Sequence, residues 1–140
     1  MGKRCETFDH TADVGLDARA DTLEELLEAL AQGLAGVIHD PAGVQGRETR
    51  GLRLEADDLE TLTVDFLWGV KDLIEADLFL VREVRVLRAD EGEVAAEVSG
   101  EPYDEARHTF VGEVKAVTYH QLEVGQDPEG GWRARVILDL

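Results

Sequence analysis

Asp13 opens a strand-like alternation and Asp139 stands next to the last residue, Leu140, so two acids sit at opposite extremities of the chain. Val14, Leu16 and Ala18 alternate with Gly15, Asp17 and Arg19, the period of a half-buried strand. Trp132 to Leu138 has the same character at the far end. If these strands are antiparallel neighbours, the start of the first lies beside the end of the last. Both carboxylates then meet at one rim of the sheet. Adjacent like charges are unfavourable unless a proton or a cation is shared between them. Oxygen ligands select a hard ion such as Ca²⁺ or Mg²⁺, whereas Zn²⁺ wants thiolate or imidazole. The main-chain carbonyl of Leu140, and its terminal carboxylate if the chain stops there, would add oxygens. The plainer alternative makes Asp13 a turn cap and Asp139 a solvated acid, as most exposed acids are.

Two further blocks concentrate polar groups. One is Phe8-Asp9-His10-Thr11-Ala12-Asp13-Val14-Gly15; the other is Glu113-Val114-Lys115-Ala116-Val117-Thr118-Tyr119-His120. His10, Lys115 and His120 are candidate proton carriers or phosphate contacts, and an enzymatic reading starts from them. Asp9 cannot easily orient His10 in a strand, because neighbouring side chains point to opposite faces. No Ser or Cys nucleophile stands in a recognisable setting, and there is no Gly-rich phosphate loop. His10, His39, His108 and His120 lack zinc-type spacing. Free-standing catalysis is therefore the weaker reading. His10 and Lys115 fit better as supports for the rim near Asp13 or as partner contacts, and Lys115 also fits as a countercharge to Glu113 or Asp13.

The elements that would position these groups read as follows. Asp21-Thr22-Leu23-Glu24-Glu25 carries a capping box, Thr22 with Glu25, opening a helix. Leu23, Leu26, Leu27, Leu30, Leu34 and Val37 make its apolar stripe. Gly33 and Gly36 weaken its second half by roughly 1 kcal/mol each relative to Ala, which favours fraying or bending. Asp40-Pro41-Ala42-Gly43 stops it, and residues 42–50 read as a mobile loop. Leu52, Leu54 and Ala56 suggest a strand. A second helix starts near Asp57 or Asp58, with Leu59, Leu62, Phe66, Val70 and Leu73 inward. Trp68 falls off that stripe, to dock a partner or, as Val64 one turn earlier suggests, to pack against a second layer. Strands over 80–88 and 93–99 flank an Asp90-Glu91-Gly92 turn, and strands over 118–124 and 132–138 form another candidate pair. Residues 101–115 are the least legible. The expected fold is a single α+β domain over residues 1–140, a largely antiparallel or mixed sheet with two main helices packed on it.

Composition sets outer bounds. At 140 residues, 44% apolar and 32% charged, the chain has the balance of one globular domain. No apolar run approaches the roughly 18 residues needed to cross a bilayer, and no leader opens the chain. Cys5 is the only cysteine, so no intrachain disulfide forms, and a reducing cytoplasm is the expected setting. Fourteen Lys and Arg stand against 31 Asp and Glu, a net charge of −17. Such a surface repels phosphate backbones, so direct nucleic-acid binding is disfavoured. A basic protein partner or a divalent cation suits it better. Solubility alone, or a high-temperature or high-salt habitat, is the alternative account.

In order and spacing, the amino-terminal block, the Glu113–His120 block and the Leu138-Asp139-Leu140 ending resemble the archease family, and the resemblance spans the chain. That family is the protein cofactor of the tRNA-splicing RNA ligase, which joins 3′-phosphate and 5′-hydroxyl ends through a guanylyl-enzyme intermediate formed from GTP. The resemblance implies a non-catalytic activator that speeds guanylylation and supports multiple turnover, with the ligase as its partner. It also implies a metal site of Asp13, Asp139 and the main chain of Leu140, with Ca²⁺ as first choice and Mg²⁺ or Mn²⁺ as alternatives. Competing readings from other classes are a small metal-dependent hydrolase or transferase using Asp13, Asp139 and His10, and a chaperone-like acidic interaction module.

Overall fold

Both helices begin at side-chain caps. In the computed structural model, which describes residues 12–140, the Thr22 hydroxyl accepts the Glu25 N–H at 3.1 Å and starts α1 (Leu23–Ile38). The Asp58 carboxylate accepts the Thr61 N–H at 2.7 Å and starts α2 (Leu59–Glu75). These bonds satisfy amide groups that the first helical turn leaves without partners. The strands are β1 (Asp13–Ala20), β2 (Glu48–Glu55), β3 (Phe79–Ala89), β4 (Glu93–Pro102), β5 (Ala116–Val117), β6 (Glu123–Gln126) and β7 (Trp132–Asp139).

The expected α+β class and antiparallel pairing hold, and the strands divide into two sheets. One runs β2-β4-β3. In the other, β1 pairs with one side of β7, while β5 and β6 both pair with its opposite side. The helices lie between them: α1 packs on β1, β7 and β3, and α2 packs on β2, β3, β4, β5 and β6. A middle-layer helix must bury more than one stripe. Accordingly α2 buries Thr63, Val64, Leu67, Lys71 and Ile74 besides Leu62, Phe66, Val70 and Leu73. Trp68 belongs to this second face: its indole N–H donates to the Val117 carbonyl at 3.1 Å, tying α2 to β5.

Helix α1 continues through Gly33 and Gly36 to Ile38 without a break. Gly33 has a packing reason, since a Cβ there would meet the Leu16 side chain of β1 at 3.4 Å. Two expectations about loops and strands need correction. Residues 42–50 are not one mobile loop, because β2 already starts at Glu48 and Val44 is buried. The Gln45 N–H donates to Glu101 at 2.7 Å, and the Val44 carbonyl accepts from Arg82 at 3.0 Å. The strand expected over 118–124 is interrupted; Gln121 has φ 52, and the chain turns between β5 and β6. The segment after β4 is held by a buried polar cluster rather than by regular structure.

In that cluster the Glu101 carboxylate, 1% exposed, accepts from Arg107 at 2.7 and 3.1 Å and from the Gln45 N–H. His108 Nδ1 accepts the Asp104 N–H at 2.8 Å, so its Nε2 carries the proton and donates to Glu101 at 3.0 Å. Arg107 above all, then the Gln45 amide, holds the Glu101 carboxyl far below the usual carboxylate range. His39 is buried between the Val81 N–H, which its Nε2 accepts at 3.1 Å, and the Asp40 carbonyl, 3.0 Å from its Nδ1. Burial is the main cause that lowers its pKa, so the folded protein keeps this ring neutral.

Acid stability should therefore be lost in two stages. Below the ordinary histidine value of 6.5 the unfolded chain takes a proton that native His39 refuses, so stability falls as pH drops through that region. Glu101 acts further down: its contribution is present above 4.5 and is lost as pH falls below it. Thermal melts from about pH 8 to 3 should show His39→Gln removing the upper stage and Glu101→Gln lowering Tm at neutral pH while flattening the lower stage. Parallel wild-type and variant curves would overturn this assignment.

Candidate functional site

The ladder between β1 and β7 fixes which side chains share a face. Asp13 pairs with Asp139, Gly15 with Ile137, Asp17 with Arg135 and Arg19 with Arg133. The alternate residues Val14, Leu16, Ala18 and Ala20 pair with Leu138, Val136, Ala134 and Trp132 and pack into the core. Core burial of that set turns Asp13 and Asp139 outward together. Directly opposed residues of an antiparallel pair have Cβ atoms about 4.5–5.5 Å apart. The two ends of the described chain therefore meet as the sequence suggested, and they bring their carboxylates side by side.

Asp139 is clamped from both flanks. On one side the Leu140 N–H donates to the Ala12 carbonyl at 2.8 Å; on the other the Lys115 N–H donates to the Asp139 carbonyl at 2.8 Å. The half-buried Asp139 carboxyl is pushed up, first by its desolvation and then by the adjoining Asp13 carboxylate. The charges of His120 and Lys115 act on it in the opposite sense. A carboxylate whose ionised form is disfavoured by a second one beside it is relieved by a shared proton or cation.

Of the residues singled out from the sequence, Asp13, Asp139, Leu140, Lys115 and His120 come to this one edge. His120 lies in the exposed turn after β5, where its N–H donates to the Thr118 hydroxyl at 3.3 Å. His10, like Asp9 and Cys5, lies outside the described residues. Among the described residues no group of three or more His, Cys, Asp or Glu side chains converges as a metal cage. Among the described residues the donors at this edge are two carboxylates and main-chain oxygen, which fit a hard oxygen-seeking ion.

Further along the same outer face, Arg19, Arg133 and Arg135 line a cleft with Asp17 and Glu123. It is not a free basic patch, because Arg133 pairs with Glu123 at 2.8 Å and Arg19 with Asp127 at 3.5 Å. Sequence reasoning passed over two features of the fold. One is the Glu101 cluster, whose members converge only in the fold. The other is Leu78, which has φ 54 three residues past the end of α2, a left-handed backbone that glycine enters at lower cost. Among the described residues, no helix is long and apolar enough to cross a membrane.

Comparison with known proteins gives one consistent answer. The model of the Archease protein family matches residues 5–140. A protein archease from Methanosarcina mazei is 41% identical over 144 residues, covering 100% of this chain and 98% of that one. One from Pyrococcus abyssi is 36% identical, with 99% of each chain covered. The solution structure of Methanobacterium thermoautotrophicum protein 1598 superposes with a TM-score of 0.72 at 33% identity, over 95% of this chain and 96% of that one. With the family model spanning nearly its whole length, this chain belongs to the archease family.

Proposed function

We propose that this archease is a non-catalytic protein cofactor of the tRNA-splicing RNA ligase and promotes its guanylylation and multiple turnover. The observation that supports it is the cross-strand pair Asp13 and Asp139 in a chain of the archease family. A ligase cleft that holds RNA and GTP phosphates must be electropositive. A chain of net charge −17 is steered toward such a cleft, and its outward carboxylates are then the first groups to meet the phosphate-binding region.

Asp13 and Asp139 would hold the divalent ion, with Ca²⁺ as first choice and the main-chain oxygen of Leu140 completing the set. A divalent ion bound there would supply positive charge able to stabilise phosphoryl oxygens during guanylyl transfer. The protein supplies placement. The Lys115 and Leu140 amide bonds fix the Asp139 backbone from both sides, so its carboxylate is presented in one position rather than searched for. Lys115 and His120 temper the negative charge of the pair when no ion is shared.

Asp139 has a folded pKa above its unfolded value. Its protonated form favours the native state at low pH, and that advantage is lost as pH rises through the folded value. With chelator at pH 7, Asp139→Asn should therefore melt at a higher temperature than wild type. With saturating Ca²⁺ the order should reverse, with a wild-type gain of about 5–10 °C absent from the variant. Wild-type melting indifferent to Ca²⁺, Mg²⁺ and Mn²⁺ would remove the ion from this account.

Ligation assays test the function itself. In single- and multiple-turnover reactions, Asp13→Ala and Asp139→Ala should each lose at least about tenfold of the stimulation, mainly in the multiple-turnover arm. Equal stimulation by all three proteins would eliminate the acidic rim from the mechanism. Stimulation by wild type should also fall as salt rises from tens to hundreds of millimolar, through screening.

A further inference from the structure

Leu78, Phe110 and Val111 are large apolar side chains left 47%, 36% and 60% exposed. Leu78 and Phe110 share a groove of about 230 Å³ with Ile38, Gly112, Glu75 and Glu113. We propose that this groove is the docking surface for a protein partner presenting an apolar side chain flanked by lysine or arginine. On the reading given above, which this inference rests on, that partner is the RNA ligase.

Three observations carry it. First, Leu78 breaks two local rules at once. Its backbone, at φ 54, occupies the left-handed region that glycine or asparagine enters at lower cost, and its side chain is not buried in return. The backbone there is fixed by the Tyr103 N–H, which donates to the Leu78 carbonyl at 2.7 Å. That bond needs no particular side chain, so folding alone does not account for a leucine. Strained positions of this kind concentrate where the side chain has a use.

Second, the walls of the groove are acidic. Exposed Glu113 lines it and exposed Asp77 precedes Leu78 in the chain, while Glu75, also in the lining, is paired with Lys71 at 3.0 Å. An apolar floor with an acidic border selects an apolar anchor with a basic surround and repels an acidic one.

Third, the groove is continuous with the acidic rim. The Val114 N–H donates to Glu75 at 2.8 Å, and the next N–H, that of Lys115, donates to Asp139. Glu113 at the groove is thus two residues, roughly 7 Å of extended chain, from the residue bonded to Asp139. A partner whose phosphate-binding cleft faced Asp13 and Asp139 would cover the groove in the same encounter.

The test is titration of the RNA ligase with wild type, the double variant Leu78→Asn/Val111→Thr, and Asp139→Ala. Asparagine tolerates the left-handed backbone and threonine keeps the shape of valine, so Tm should stay level or rise. Binding by the double variant should weaken about tenfold or more. Glu113→Lys should weaken it at about 50 mM salt and much less at about 500 mM. Asp139→Ala should lose far more stimulation than affinity, whereas the double variant should lose the two together, which separates docking from the chemistry of the rim. If the double variant binds as wild type does, the groove is not the docking surface and the cofactor reading survives. If wild type itself does not bind the ligase, both fall together. Sedimentation showing a wild-type dimer that the double variant abolishes would assign the groove to a second copy of the chain and overturn the proposal.

Discussion

The register of β1 against β7 is the constraint on which the rest of the site depends. A strand has a side-chain period of two, so sliding one strand by a single residue would exchange its two faces. Here Leu16, Val136 and Leu138 pack in the core beneath α1, which leaves no alternative placement for their neighbours. Asp13 and Asp139 face each other because the apolar residues one step along each strand must be covered. Burial of hydrophobic surface is thereby converted into the proximity of two like charges. The unfavourable pair persists because undoing it would expose the core.

The same frame explains the polar interior on the other side of the molecule. With two sheets and a helical layer between them, the connections over 39–47 and 101–114 must cross the ends of the sandwich. They carry backbone groups that no ladder satisfies. His39, Glu101 and His108 take over that task from side chains, each bonded to main-chain amides of segments far away in sequence or in the next turn. Among the described residues no buried side-chain nitrogen or oxygen is left without a partner. Such a network specifies one loop arrangement rather than many, since a half-made version would be worse than none.

Local rules made much of this legible from the sequence. Alternation located β1 and β7, and hence the Asp13–Asp139 contact, because period two is a direct consequence of backbone geometry. The Thr22 cap was legible for a similar reason, since the cap residue and its target amide lie within one turn, and the start of α2 was legible to within Asp57 or Asp58. What escaped is what depends on distance. A broad stripe on α2 that includes polar Thr63 and Lys71 does not announce a second sheet, yet both are buried by it. Lys71 is accommodated by Glu75 at 3.0 Å and by the Trp68 ring at 4.7 Å, partners visible only once α2 is folded. Glu101 looks like any surface acid until Gln45, 56 residues earlier, supplies its amide. The turn at Gln121 has neither glycine nor asparagine at its positive-φ position, so no breaker marked where the strand stops.

Two features of the described molecule run against the consistency that folding favours: the opposed acids Asp13 and Asp139, and the strained, exposed Leu78. They are not scattered. Residues 113–115 link them, donating in succession to Glu75 on α2 and to Asp139 on β7, so one extended segment joins the apolar groove to the charged pair. Elsewhere the caps and buried polar groups agree with the fold, and Gln121 is the other non-glycine position of positive φ among the described residues. Departures that accumulated by chance would fall anywhere on the surface. Their linkage through one extended segment is the pattern expected where a local cost in stability is offset by a use of the exposed groups. The opposed acids and Leu78 lie at the surface of the described molecule, within reach of a shared ion or of another molecule.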